Sequence, residues 1–268
     1  MKSEFDLVVI GGGPAGSTLA CLAKKYNPGR RILILERDRF PRHHVGESTL
    51  PGMLPILDEL GVTEKIANCG FVRKVGAVYV RRGQRPWSVP FRTTHSDRGR
   101  PAPPAKDYAW QVRRAQYDKV LLDHARESGV EAREGWAVRR TRLPSAADHP
   151  AILTVADPSG RELDIEAGIV ADCSGQGGVL SRQLKVRSRL PELSNMAVYA
   201  YYRCDPFAHP HSGLFEESKI VLRYLRDGWL WFIPLSREIA SVGFVCRRER
   251  LTNVAREGGL AALLDDRI

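Results

Sequence analysis

Gly11, Gly13 and Gly16 stand as GxGxxG between the apolar run FDLVVI (5–10) and the stretch PAGSTLACLAKKY (14–26), which leaves few options for the backbone. The pattern predicts a strand, a tight turn and a helix in immediate succession. Gly11 permits the turn, Gly13 lets the backbone approach a diphosphate, and Gly16 lets the helix lie close to the strand. Leu19, Leu22, Ala23 and Tyr26 are expected on one side of that helix, with Asn27-Pro28-Gly29 as its stop. RILILE (31–36) reads as a second buried strand, completing a parallel, right-handed βαβ unit. Glu36 follows Gly16 by 20 residues, at the end of that strand, where a carboxylate accepts hydrogen bonds from ribose hydroxyls. The helix start offers free N–H groups and a positive dipole end to phosphates. An acid at this position disfavours a 2′-phosphate, so the expected ligand is FAD or NAD rather than NADP.

Further along, PGMLPILDEL (51–60) predicts a helix stopped at Gly61, with Met53, Leu57 and Leu60 on one side, and residues 71–82 predict one strand. Residues 85–110, rich in Pro, Arg, Ser and Gly, read as an irregular loop at a domain crossing. QYDKVLLDHARESG (116–129) is an amphipathic helix ending at Gly129, followed by a strand near 130–133. Residues 151–167 read as two strands about the turn Asp157-Pro158-Ser159-Gly160, and IVADCSG (169–175) as a further buried strand. Alternating segments from 194 to 246 predict an antiparallel sheet. One of them, GWLWFIP (228–234), puts Trp229, Trp231 and Ile233 on one face and Leu230 and Phe232 on the other, the pattern of a strand buried on both sides.

With 268 residues, 43% of them hydrophobic, the chain can build one sizeable core or two modest ones. Its five cysteines are scattered and include no CxxC pair, which argues against a disulfide framework or a zinc site. His43 and His44 point apart on an extended chain, so no metal is expected there. The net charge of +10 is spread through RRG, VRR and RRTR, the distribution of a solvated surface with a few phosphate contacts rather than a nucleic-acid site. No apolar run reaches the roughly 18 residues of a membrane span, and the N-terminus lacks a signal-peptide layout. The expected location is cytoplasmic.

GGGPAGS (11–17), RFPRHHVGES (39–48), GFVRKVGA (70–77), QVRRAQYDKVLLDHA (111–125), DCSG (172–175) and WLWFIP (229–234) together resemble the flavin-dependent halogenases, closest to those acting on phenols and carrier-protein-bound pyrroles. The resemblance implies an α/β fold of the aromatic-hydroxylase type. It consists of a discontinuous Rossmann-like FAD-binding domain, 1–70 and 105–190, interleaved with an antiparallel substrate-side sheet domain, 71–104 and 191–268. It implies FAD contacts from Gly11, Gly13, Pro14, Ala15, Gly16, Glu36, Arg42, Gly46, Glu47, Ser48, Arg114, Asp172 and Gly175. In that family reduced FAD, delivered by a separate flavin reductase, uses oxygen to convert chloride or bromide into hypohalous acid.

By motif position Lys74 is the lysine that takes or orients this electrophile for a small aromatic substrate, free or on an acyl carrier protein. The same resemblance implies that Trp229 and Trp231 keep that substrate away from the flavin. The residue pattern around Lys74 is compatible, because a strand over 71–80 puts it on a face with Val72, Gly76, Val78 and Val80, where a lone ammonium is costly. An edge-strand lysine with its head in water is the alternative. An aromatic hydroxylase, a monooxygenase or ene-reductase of the same fold, and a non-catalytic flavin-binding remnant are competing readings. The family continues past this length to a GD-type motif that closes over the flavin and binds halide. No such motif follows residue 190, so the chain reads as truncated at its C-terminus.

Overall fold

The two apolar runs flanking the glycine turn pair as parallel strands in the computed structural model of the chain. It describes residues 4–91, 107–144, 146, 149–188, 190–206, 218–256 and 259–265. In chain order the first half holds β1 (Phe5–Ile10), α1 (Pro14–Tyr26), β2 (Ile32–Glu36), α2 (Leu54–Leu60), α3 (Thr63–Ala67), β3 (Val72–Lys74), β4 (Gly76–Arg81), β5 (Trp87–Pro90), β6 (Ala109–Gln111) and α4 (Arg114–Glu127). The second half holds β7 (Glu131–Glu134), β8 (Ala137–Arg142), β9 (Ala151–Ala156), β10 (Glu162–Asp172), α5 (Val179–Gln183), β11 (Asn195–Arg203), β12 (Ile220–Tyr224), β13 (Gly228–Pro234), β14 (Ile239–Arg247), α6 (Arg248–Arg256) and α7 (Leu260–Asp265). The chain divides into two units, the first of Met1–Val45, Asp58–Cys69 and Arg114–Ser188, the second of Gly46–Leu57, Gly70–Arg113 and Arg189–Ile268. Relative to the expected domain limits, Gly46–Leu57 and the segment ending at Arg113 fall in the second unit.

The first unit is built on a six-stranded sheet in the order β7-β2-β1-β10-β9-β8. The four strands from β7 to β10 run parallel, and β9 and β8 are added antiparallel. All five residues of β2 are buried, as a strand covered on both faces requires. Each such aliphatic side chain contributes about 1.5–3 kcal/mol through its removal from water. Phe5, Val8, Ile10, Leu33, Leu35, Leu153, Val155 and Ile165 form the core on one side.

The second unit carries a six-stranded sheet in the order β11-β14-β13-β12-β4-β5, antiparallel except where β12 lies parallel to β4. A separate two-stranded sheet pairs β3 with β6. On one face of the large sheet Phe244 and Cys246 pack with Leu251 and Leu264 of α6 and α7. The opposite face is aromatic. There the register sets Trp231 opposite Gly243, and a Cβ on Gly243 would lie 2.2 Å from Cζ2 of the indole. Glycine is therefore the residue that leaves room for Trp231. Gly243→Ala should lower stability by about 1–3 kcal/mol through overpacking. An unchanged thermal midpoint would show that the indole has room to move.

Several elements depart from expectation. The side of α1 that carries Leu19, Leu22, Ala23 and Tyr26 is not its buried side, which is Gly16, Ser17, Ala20 and Cys21, and Tyr26 is 66% exposed. The close approach at Gly16 selects the small residues for the contact and turns the larger ones outward. The single strand expected over 71–82 is two strands, β3 and β4, which belong to different sheets and break at Val75. Lys74 therefore does not share one pleated face with Val78 and Val80. The loop expected over 85–110 contains β5 and β6, both short pairings that its Pro and Arg content concealed; residues 92–106 lie outside the described residues.

IVADCSG is no separate buried strand, for its first four residues complete β10. Ile169 is 65% exposed, because β9 no longer runs beside β10 beyond Ala167. The helix expected over 51–60 starts with a 3₁₀ turn at Pro51–Met53 before α2. The arginine-rich β8 and the short α3 had no prediction.

Candidate functional site

A cavity of about 410 Å³ opens in the first unit at the carboxyl ends of β1 and β2 and the start of α1. It brings together Gly11, Gly13, Pro14, Ala15, Glu36, Arg42, Arg114 and Gly175. Gly11 adopts φ +105°, and a Cβ there would fall 2.4 Å from the carbonyl oxygen of Cys173, so only glycine makes this turn. A Cβ on Gly13 would meet only the Arg42 guanidinium, at 3.3 Å, which leaves open backbone facing the cavity. Gly13 caps α1 without a side-chain hydrogen bond, and Pro14 begins the helix. The N–H groups of the first turn are thus available to an anion.

Glu36 is buried. Its Oε2 accepts from the Gly12 N–H at 2.7 Å and its Oε1 from the Asp38 N–H at 2.9 Å. These two donors fix the carboxylate at the strand end while each oxygen keeps acceptor capacity. Arg42 lies over the Phe40 ring at 4.6 Å, and its Nη1 is 3.3 Å from Oδ2 of Asp118. Its Nε lies 3.7 Å from Oδ2 of Asp38, so the guanidinium is ion-paired on both sides, while its buried Nε and Nη1 form no hydrogen bond of good geometry and keep donor capacity for an anion. Arg114 is more fully occupied. It holds Asp118 in a fork, Nε to Oδ1 at 2.7 Å and Nη2 to Oδ2 at 2.9 Å, and donates Nη1–H to the Val45 carbonyl at 2.7 Å.

Asp118, wholly buried, orients both arginines and was missed in the sequence. Its i,i+4 spacing from Arg114 was the available signal. Ser174, Trp136 and Arg139 also line the cavity unpredicted. This set suits a dinucleotide, with glycine backbone, helix start and a cation for the diphosphate and a fixed carboxylate for ribose.

Gly16 and Asp172 support the cavity rather than line it. Burial alone would raise the pKa of Asp172. Hydrogen bonds from Ser174, the Leu180 N–H at 2.8 Å and the Ser181 N–H at 3.4 Å outweigh that and hold it below the usual carboxylate range. The aspartate thereby shapes the turn that presents Gly175.

Gly46, Glu47 and Ser48 belong to the second unit. Glu47 is buried there and accepts from the Tyr201 hydroxyl at 2.6 Å, and Ser48 bridges to Gln111 of β6. Lys74 lies in the same unit, only 4% exposed. Its Nζ donates to the Thr49 carbonyl at 2.9 Å and lies 5.1 Å from the centre of the Phe91 ring. Burial pulls its pKa down to about 8, and no carboxylate pairs with it among the described residues. An edge lysine with its head in water is thereby ruled out.

Trp229 and Trp231 share a face of β13, their ring centres 5.9 Å apart. Trp231 is buried, donating its Nε1–H to Ser241 at 3.2 Å and packing 6.1 Å from Tyr199. Trp229 remains 36% exposed, so β13 is not buried on both sides along its full length.

A nucleotide-sized cavity where β1 leads to β2 on one side and β10 lies on the other is a topological switch point, and with the glycine turn and Glu36 it defines a dinucleotide-binding α/β protein. Within that class the chain belongs to the tryptophan halogenase family, whose model matches residues 6–100 and 90–266. It is 36% identical over 245 residues to the flavin-dependent halogenase armH3 of Armillaria mellea, covering 90% of this chain and 46% of that protein. It is 30% identical over 264 residues to a 1H-pyrrole-2-carbonyl-[peptidyl-carrier protein] chlorinase of Pseudomonas fluorescens, covering 93% and 57%. The crystal structure of CmlS, a flavin-dependent halogenase, superposes with a TM-score of 0.84 at 36% identity, over 99% of this chain and 46% of that one. The chain spans about half the length of the curated relatives it matches. Among the described residues no helix is long and apolar enough to cross a membrane.

Proposed function

We propose that this chain is the FAD-binding and lysine-bearing portion of a flavin-dependent halogenase acting on an electron-rich aromatic, a phenol or a pyrrole, free or presented on an acyl carrier protein. The observation that carries the reading is Lys74, a buried amine with a depressed pKa and no carboxylate partner among the described residues. A structural lysine gains nothing from such a position, whereas a lysine that must handle an electrophile does.

Gly11, Gly13, Pro14, Ala15 and Gly16 would hold the diphosphate of FAD with Arg42, and Glu36 its ribose. Arg114 acts through Asp118, and Asp172 through the turn at Gly175. FAD, delivered reduced by a separate flavin reductase, supplies with oxygen the oxidising power that converts chloride or bromide into hypohalous acid. With a pKa of about 8, about a tenth of Lys74 is neutral at pH 7. The neutral amine takes the halogen from hypohalous acid with loss of water, and the ammonium form donates a hydrogen bond to it. Trp229 and Trp231 are the rigid wall that keeps organic substrate from the flavin, and Glu47 with Ser48 holds the segment whose Thr49 carbonyl anchors Lys74.

Purified protein is supplied with FAD, a flavin reductase, NADH, chloride or bromide and a panel of phenols and pyrroles, and the products are read by mass spectrometry. A halogen isotope pattern is expected. Addition of one oxygen without halogen would replace this reading with hydroxylation. Trp229→Ala and Trp231→Ala should each raise the share of hydroxylated product. An unchanged share would reduce the pair to core packing.

A further inference from the structure

On the second unit a groove of about 930 Å³ gathers Arg81, Arg82, Arg223, Arg226 and Arg250, with Val80, Tyr224 and Leu225 as its apolar lining. The arginines come from three distant parts of the chain. The parallel register of β4 and β12 sets Val80 opposite Arg223 and Arg81 opposite Tyr224. The turn between β12 and β13 adds Arg226, and the first turn of α6 adds Arg250. One carboxylate, Asp227, lines the groove, and it is ion-paired with Arg250. Among the described residues Arg81, Arg82, Arg223 and Arg226 form no ion pair. Arg250 also stands near the positive end of a helix, where a cation is disfavoured. Like charges assembled this way repel one another, and a bound phosphate anion lessens the repulsion while filling guanidinium forks that suit phosphate oxygens.

We propose that this groove binds a phosphate ester whose organic part lies along Val80 and Leu225, with the phosphopantetheine arm of a carrier protein as the fitting source. The phosphate site stands independently of halogenation; only the choice of arm rests on the carrier-protein reading above. An open groove of this size, with one edge apolar, suits a single phosphate on a slender chain better than a polymer.

The test uses the full chain saturated with FAD, so that the dinucleotide cavity is not counted, and calorimetric titration at low salt. 4′-Phosphopantetheine is expected to bind at least about tenfold more tightly than pantetheine, which lacks the phosphate, and to weaken as salt rises. The exposed pair Arg82→Ala with Arg226→Ala should weaken it by at least about tenfold again, with flavin retention and thermal midpoint unchanged. Equal affinity for pantetheine, no measurable binding, or binding unaltered in the double variant would overturn the proposal, as would tighter binding of single-stranded DNA. A carrier protein bearing the arm that binds more tightly than the free ester makes the carrier the source, and equal binding makes it the free ester. Both results support the phosphate site. Loss of this binding with halogenation intact, or the reverse, separates the two readings.

Discussion

Gly16→Ala should yield a protein that no longer retains flavin. A Cβ at position 16 would lie 1.9 Å from the carbonyl oxygen of Gly11 and 3.1 Å from Cγ1 of Val9. The first contact is with backbone, so no side-chain rotation relieves it and α1 must move away from β1. That displacement carries the N–H groups of the first helical turn off their line to the cavity and loosens the turn that Gly11 closes against Cys173. The overpacking should cost about 1–3 kcal/mol of stability, and more if β1 shifts. Flavin absorbance of the purified variant after gel filtration measures the first effect, and thermal denaturation with and without added FAD the second. Wild-type flavin content would show that α1 has slack at this contact, and that the glycine turn does not depend on the close approach.

Lys74→Met should abolish halogenation, by about 10²-fold or more, while NADH and oxygen consumption continue. The same variant should be more stable than the wild type at neutral pH. An unfolded lysine titrates at 10.5 and the folded Lys74 at about 8, because burial disfavours its charged form. Between these values the unfolded state binds the proton and the folded state does not, so stability rises with pH across that window. Below pH 8 both states are protonated and the burial penalty is fully present. It amounts to roughly 3 kcal/mol, the free-energy equivalent of the shift.

Methionine fills similar space without the charge, and its advantage over lysine should be largest below pH 8 and vanish toward pH 10.5. Other groups titrate in the same range, but they do so in both proteins. Denaturant midpoints of the two, compared across pH 6 to 10.5, isolate the lysine. Parallel curves would show that Lys74 reaches water and is an ordinary surface cation. Retained halogenation would remove it from the chemistry.

The two variants also probe how well each site can be read from sequence. The dinucleotide cavity was legible because its parts are local. The turn at Gly11, the open backbone at Gly13 and the contact at Gly16 sit within six residues, and Glu36 ends the next strand. Asp118 was legible only as an i,i+4 partner of Arg114, because its importance lies in burial between Arg42 and Arg114, which a contiguous reading of α4 does not reveal. Lys74 is buried as its apolar neighbours suggest, but not on one continuous strand. The chain breaks at Val75, and Lys74 is covered through pairing of β3 with β6 and the nearby Thr49 and Phe91. The outward turn of Tyr26 and Leu19 on α1 has the same origin, since tertiary contact at Gly16 overrides the preference of large apolar groups for the inside.

By itself the sequence determined the βαβ unit, its phosphate-facing glycine turn, the acid at its edge and the alternation of the Trp229 and Trp231 strand. Strand periodicity, positive-φ turns and helix starts are properties of neighbouring residues. Only the tertiary structure decided which charged groups lose water and which share a surface. It sequestered Lys74, set Asp118 between two arginines, opened Gly243 beneath Trp231 and collected five dispersed arginines into one groove. Desolvation and charge proximity depend on separate segments of the chain meeting in space, and no local pattern records that meeting.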